Sequence, residues 1–324
     1  MTIKTIFFGT PDFSLQSLQA CFDKTDLLAI VSKKDKKRGR GQKISSSPCK
    51  EFALKHNIPC FTPWTFKKDN QELRGFNEFV KNNKIDFFIV TAYGKILPQK
   101  ILNLPTQACL NVHASLLPKY RGAAPIQRSL ENGDFETGLS LQKMVFELDA
   151  GDVVDEIKTP IDINENSLEL TQRLSSLSYN LLTEFFNKYS LDQQMALFGK
   201  KQNAEMVTYA EKISKEEGFY KDNWSAKKLH NTTRAFSAWP KVKAKLSNDK
   251  ELTIHKTCFI EIDKNSISSS KNQLIIHDQK LVLHCFDDNF IELKVIQFPG
   301  KSKGPAFELM RQQLQSEELY LKSN

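Results

Sequence analysis

Three side chains near the middle of the chain have the types and spacing of a polar reaction site. An apolar run ends in Leu110-Asn111-Val112-His113, and the two-residue period of a strand puts Asn111 and His113 on one face at the strand's carboxyl end. Open α/β sheets bind their ligands outside that end. Asp149 follows 36 residues after His113, in a turn-forming Asp149-Ala150-Gly151-Asp152 segment from which a carboxylate can reach and orient an imidazole. An amide NH₂ and an imidazole N–H are donors of the kind that stabilise the oxyanion of acyl transfer, and a neighbouring carboxylate aids proton movement. Taken as an isolated pair, Asn111 and His113 also read as a polar strand end satisfied by nearby backbone. Cys109 shares their strand face and admits two readings, a covalent nucleophile or a small buried hydrophobe.

The elements that must position these residues alternate. Strand-like runs at Ile3 to Phe8, Leu27 to Val31 and Phe87 to Val90 are separated by helical patterns near Ser14 to Cys21 and Lys50 to His56, the signature of a doubly wound, mostly parallel α/β sheet. Gly9 follows the first run without a G-x-G-x-x-G pattern, which argues against nicotinamide binding. Apolar residues at helical spacing from Leu168 to Phe185 predict a long amphipathic helix over Ser167 to Lys188. Gln193 to Glu217 is polar and reads as a connector. Beyond it, Val242 to Leu246, Leu252 to His255, Leu274 to Ile276, Leu281 to Cys285 and Phe290 to Ile296 are five short runs separated by polar turns and suggest a small barrel. The expected organisation is a Rossmann-like catalytic domain at 1–192, a linker at 193–217 and an OB-like β-barrel domain at 218–324.

Composition narrows the class. The 324 residues, 40% hydrophobic and 26% charged, suffice for two ordinary soluble domains, with no apolar run of membrane-spanning length. The strand-like Ile3-Lys4-Thr5-Ile6-Phe7-Phe8 leaves no room for a signal or transit segment, so a cytoplasmic protein and a monomer are expected. Six dispersed cysteines without a C-x-x-C pair suggest neither zinc nor disulfides, and the histidines other than His113 have no ligand-like spacing. The net charge of +8 is concentrated in Lys33 to Lys43, and again in Lys221, Lys227, Lys228, Arg234, Lys241, Lys243 and Lys245, which points to a polyanionic partner. Phe236, Trp239 and Pro240 read either as core or as a stacking surface for a nucleobase.

Asn111, His113 and Asp149, with the run Ser115-Leu116-Leu117-Pro118-Lys119-Tyr120-Arg121-Gly122-Ala123-Ala124-Pro125-Ile126-Gln127, resemble the folate-dependent formyltransferases. Three more stretches carry the resemblance in the same order: Phe7-Phe8-Gly9-Thr10-Pro11-Asp12-Phe13, Thr208-Tyr209-Ala210-Glu211-Lys212-Ile213-Ser214-Lys215-Glu216-Glu217, and Arg234-Ala235-Phe236-Ser237-Ala238-Trp239-Pro240. The resemblance implies 10-formyltetrahydrofolate as formyl donor, no metal, and methionyl initiator tRNA as acceptor. It gives catalytic roles to Asn111, His113 and Asp149 and folate contacts to Ser115, Leu116, Leu117, Pro118, Tyr93, Gly94, Ile96 and Leu97. It places tRNA contacts at Arg38, Arg40, Lys43, Lys212, Lys215 and Lys241. The chain departs from the family in Lys33-Lys34-Asp35-Lys36-Lys37-Arg38-Gly39-Arg40-Gly41, where Gly39, Arg40 and Gly41 match but the usual Pro-Asp turn is missing. Two other readings are a relative acting on a small amine, such as an amino sugar nucleotide or glycinamide ribonucleotide, and a non-catalytic RNA-binding relative. The basic segments weigh against the first, and the intact polar trio against the second.

Overall fold

The computed structural model describes residues 2–38, 43–66, 70–192, 196–263 and 267–323, with backbone alone at 36–38, 43 and 44. The chain forms two compact units. The first comprises 1–125, 136–159 and 171–210, and the second 126–135, 160–170 and 211–324. They do not follow chain order, because two segments of the stretch expected as one domain at 1–192 belong to the second unit.

In the first unit the strands are β1 (Lys4–Gly9), β2 (Asp26–Val31), β3 (Lys36–Arg38), β4 (Lys43–Ser45), β5 (Cys60–Phe61), β6 (Phe87–Thr91), β7 (Ala108–His113), β8 (Arg121–Gly122), β9 (Glu136–Lys143), β10 (Val153–Pro160) and β11 (Tyr209–Ala210). Seven of them form one sheet in the order β10-β9-β7-β6-β1-β2-β5. The five from β5 to β7 run parallel, and β9 joins β7 antiparallel. β1 and β6 are buried along nearly their whole length, which is why they read as unbroken apolar runs. Phe8, Phe66, Phe76, Phe88 and Tyr93 meet mostly edge-on or tilted and fill the core on one face. Helix starts follow local capping: Ser47 caps Pro48–Lys55 through Lys50 N–H at 3.2 Å, and Asn70 caps Gln71–Asn83 through Leu73 N–H at 3.0 Å.

The second unit is built on β12 (Val242–Leu246), β13 (Glu251–Phe259), β14 (Gln273–His277), β15 (Lys280–His284), β16 (Phe290–Gln297), β17 (Gly304–Pro305) and β18 (Leu319–Lys322). Antiparallel neighbours in the order β13-β12-β18-β14-β15-β16 close through a β13–β16 pairing into a six-stranded barrel. The sixth strand, β18, was not among the five expected. Its Leu-Tyr-Leu-Lys is too short for its alternation to stand out, and it acquires its place only by pairing with β12 and β14. Val242, Ala244 and Leu246 point inward in the alternation expected of a barrel wall.

One residue of the supposed basic surface is structural. Arg234 lies in the helix Ala226–Ala235 and is 6% exposed. Its guanidinium donates to the carbonyls of Leu130 at 3.2 Å, Asp162 at 3.3 Å and Glu165 at 3.4 Å, and to Asn231 Oδ1 at 3.0 Å. It ties 126–135 and 160–170 into the second unit. Counting charge along a sequence cannot distinguish such an interior arginine from a phosphate-binding one.

Candidate active site

β6 and β7 are parallel neighbours, with Val90 opposite Asn111, so Thr91 and His113 leave the sheet at the same edge. Antiparallel β9 brings Gln142 opposite Asn111 and Ser140 opposite His113. The carboxyl edge of β7 is thereby lined by polar residues of two strands, Asn111 and His113 on one and Ser140 and Gln142 on the other. Ser140 and Gln142 have the same two-residue spacing as Asn111 and His113 and alternate with Leu139 and Leu141, a signal the sequence contained and that could have been read.

His113 is buried, and its two nitrogens face different partners. Nε2 lies 2.9 Å from the Tyr120 carbonyl, and since a carbonyl only accepts, Nε2 carries the hydrogen. Nδ1 lies 3.7 Å from Asp149 Oδ2, an ion-pair separation rather than a hydrogen bond. The Asp149 carboxylate is held from both sides, Oδ2 accepting from Gly122 N–H and Oδ1 from Gln142 Nε2, each at 2.9 Å. Asp149 itself has φ of 50°, the left-handed region that aspartate tolerates better than most side chains. Asn111 is half-buried, and its side chain makes no hydrogen bond among the described residues, so its amide donors are open. The strand, the adjoining turn and the β9–β10 turn thus bring together the three residues singled out from the sequence.

The segment after His113 is fixed by its own hydroxyls. Ser115 Oγ donates to Lys119 O at 2.6 Å, Ser140 Oγ donates to Ser115 O at 2.8 Å, and Leu117 N–H donates to Ser140 Oγ at 3.0 Å. The Leu117–Pro118 peptide is cis. Ser115 and Leu117 are buried, while Leu116 and Pro118 remain half-buried. In the loop after β6, Ile96 is exposed and Gly94 sits at φ of 69° with Lys33 Nζ against it. Tyr93 and Leu97 lie in the aromatic core, and burial pushes the Tyr93 hydroxyl well above its ordinary range. Cys109 is buried with Sγ 3.5 Å from Met144 Sδ, and desolvation pushes its thiol up, so it is the small buried hydrophobe and not a nucleophile.

Of the basic residues, Lys212 and Lys215 are exposed, and Lys241 is half-buried at φ of 68°. Arg38 and Lys43 pair across the two-stranded β3–β4 ladder, and Arg40 lies outside the described residues. Phe236 is core, whereas Trp239 is 53% exposed. Gln202 is a residue the sequence reading missed. Its Nε2 donates to the carbonyls of Asp149 at 2.8 Å and Gly151 at 2.7 Å, from a stretch that has no periodicity to betray it.

Comparison with known proteins identifies the family. The chain is 40% identical over 300 residues to the methionyl-tRNA formyltransferase of Sulfurihydrogenibium sp. (strain YO3AOP1), covering 92% of this chain and 93% of that one. It is 33% identical, with the same coverage, to the methionyl-tRNA formyltransferase of Acinetobacter baumannii (strain ACICU). The solved structure of WlaRD, a sugar 3N-formyl transferase, in the presence of dTDP and 5-N-formyl-THF, shares the fold. Its TM-score is 0.63 at 19% identity, covering 93% of this chain and all of that one. The formyl transferase model matches residues 2–186 and the formyl transferase C-terminal domain matches 212–314, so the chain belongs to the formyl transferase family and is a transferase.

Proposed function

We propose that this protein moves the formyl group of 10-formyltetrahydrofolate onto the amino group of methionine esterified to initiator tRNA, giving the formylmethionyl-tRNA that starts translation. The observation that carries this reading is the 40% identity to a methionyl-tRNA formyltransferase along 92% of the chain, with Asn111, His113 and Asp149 gathered at one strand end.

In this reading the uncharged amine attacks the formyl carbon. A new C–N bond forms and the carbonyl electron pair moves onto oxygen. Asn111 donates to that oxyanion without giving up any existing bond, which makes it the readiest donor in the site. His113 can do so only by sharing the hydrogen it now gives to Tyr120. Set between that carbonyl and Asp149, His113 is placed to pass the proton lost by the entering amine to the departing folate nitrogen as its bond to the formyl carbon breaks. The remaining contribution is alignment of the two substrates.

For the donor, the loop after β6 leaves Ile96 exposed beside Gly94, the turn after β7 leaves Leu116 and Pro118 half-buried, and Tyr93 and Leu97 lie in the core behind the first loop. Ser115 and Leu117 would act through the turn they stabilise. For the acceptor, Arg38, Arg40 and Lys43 in the first domain and Lys212, Lys215 and Lys241 at and beyond the linker would meet tRNA phosphates. The domain division 1–192, 193–217 and 218–324 goes with this, chemistry in the first part and acceptor binding shared among all three. Incubation with 10-formyltetrahydrofolate and methionyl initiator tRNA, followed by identification of the amino acid released, tests the proposal. Formylmethionine is expected, and unmodified methionine alone would reject it.

A further inference from the structure

The two family matches end at 186 and begin again at 212, so the stretch between them carries none of the matched domains. Within the first unit, that stretch nonetheless holds both sides of the candidate site. Thr208 Oγ1 accepts from Tyr120 N–H at 2.9 Å, Thr208 O accepts from Arg121 N–H at 2.9 Å, and Ala210 O accepts from Ala123 N–H at 2.8 Å. These bonds fix Tyr120, whose carbonyl holds His113. Gln202 does the corresponding work for Asp149.

The Gln202 amide is fully used. Both hydrogens of Nε2 go to carbonyls, those of Asp149 and Gly151, and Oε1 accepts from Arg121 Nε at 3.0 Å. The buried Arg121 reaches on to Glu147 Oε1 at 3.3 Å. Carbonyls only accept and a guanidinium only donates, so the amide fits in one orientation alone. The turn it grips has no slack, since a Cβ on Gly151 would lie 1.7 Å from Lys143 O. Gln142 and Gly122 grip the Asp149 carboxylate, but among the described residues Gln202 is the side chain that grips the Asp149 backbone, which sits in the left-handed region. Without it the turn can relax and carry the carboxylate with it.

We infer that Gln202 is a positioning residue for formyl transfer, holding the Asp149 turn in register with His113. The inference rests on the function proposed above. A displacement of about 1 Å costs up to about a hundredfold in rate, so loss of the clamp should lower kcat by roughly ten- to a hundredfold. KM for either substrate should stay within about threefold of wild type, because the Gln202 amide is already fully spent on Asp149, Gly151 and Arg121.

The test uses the full chain with Gln202→Met, which keeps length and removes every hydrogen bond, and Gln202→Glu, which keeps the acceptor for Arg121 and removes both donors. Amide hydrogen exchange is read across the whole chain without substrate, and steady-state formylation of methionyl initiator tRNA is read beside it. Both variants should exchange faster at 147–152 while the remaining protected segments stay protected, and both should lose kcat at unchanged KM. Unchanged exchange at 147–152, kcat within about twofold of wild type, or a fully active Gln202→Glu would overturn the clamp. If the wild-type chain formylates nothing, the functional reading falls, while the exchange measurement still decides whether Gln202 holds the turn.

Discussion

Replacing Asn111 with alanine and replacing His113 with alanine should separate catalysis from stability in opposite proportions. The Asn111 side chain makes no hydrogen bond among the described residues, so its loss orphans nothing and removes only a donor that acts when charge develops on the formyl oxygen. Removing one such donor typically costs about 2.7 to 4 kcal/mol of transition-state stabilisation, or roughly 10² to 10³ in turnover. Asn111→Ala is therefore expected to lower kcat by at least about a hundredfold with KM and melting temperature nearly unchanged. His113→Ala also leaves the Tyr120 carbonyl without its 2.9 Å donor. An orphaned buried acceptor costs about 1 to 3 kcal/mol. At roughly 2 to 4 °C per kcal/mol for a domain of this size, that lowers Tm by roughly 2 to 12 °C on top of a comparable loss of turnover. Calorimetry and steady-state formylation of charged tRNA read the two effects independently. A folded Asn111→Ala protein within tenfold of wild-type turnover, or one destabilised as much as His113→Ala, would refute the reasoning.

Alanine at Arg38, Arg40 and Lys43 together should weaken tRNA binding and flatten the plot of log affinity against log salt by up to about three units, and an unaltered slope would move the phosphate contacts elsewhere. Arg234→Met should lower the stability of the second unit by at least about 1 to 3 kcal/mol, the cost of one orphaned buried acceptor, because three backbone carbonyls and Asn231 Oδ1 lose their donor; a melt within 2 °C of wild type would show that water replaces the guanidinium. His230 is held below its ordinary value of 6.5, first by burial, with Arg234 pushing the same way against the hydrogen bond to Ile163 O. The unfolded chain then binds a proton the folded one resists, so stability is full above about pH 6.5 and is lost as the pH falls below it. His230→Gln should flatten thermal melts between pH 7.5 and 5.5, leaving the slope due to His255, which burial also holds low; an unchanged slope would remove His230 as its source.

The parts of this architecture that were legible in the sequence are those governed by local period. β12 coincides with the run Val242 to Leu246, and the helix Ser167–Leu191 exceeds the expected Ser167 to Lys188 by less than a turn. The same two-residue period put Asn111 and His113 on one face. Long-range placement was not legible. Gln202 reaches Asp149 across 53 residues, and β8 pairs with β11 through two residues on each side, Arg121 with Tyr209 and Gly122 with Ala210, too short for any pattern. Burial was the other hidden quantity. The helix Ala226–Ala235, Ala-Lys-Lys-Leu-His-Asn-Thr-Thr-Arg-Ala, looks polar, yet all of it except its two lysines is buried, because His230 and Arg234 find carbonyls on 126–135 and 160–170. Polar residues go inside when partners wait for them, and those partners are remote in sequence.

The central claim is that this site formylates methionine only when it is attached to initiator tRNA. The most direct measurement presents the full chain with 10-formyltetrahydrofolate and, in parallel, methionyl initiator tRNA, uncharged initiator tRNA, free methionine and an amino sugar nucleotide, and follows formyl incorporation into each. Rapid formation of formylmethionyl-tRNA, slowed at least about a hundredfold in Asn111→Ala and absent with the other acceptors, is the predicted result. Transfer to the amino sugar nucleotide or to free methionine at a comparable rate, or no transfer to the charged tRNA, would contradict it.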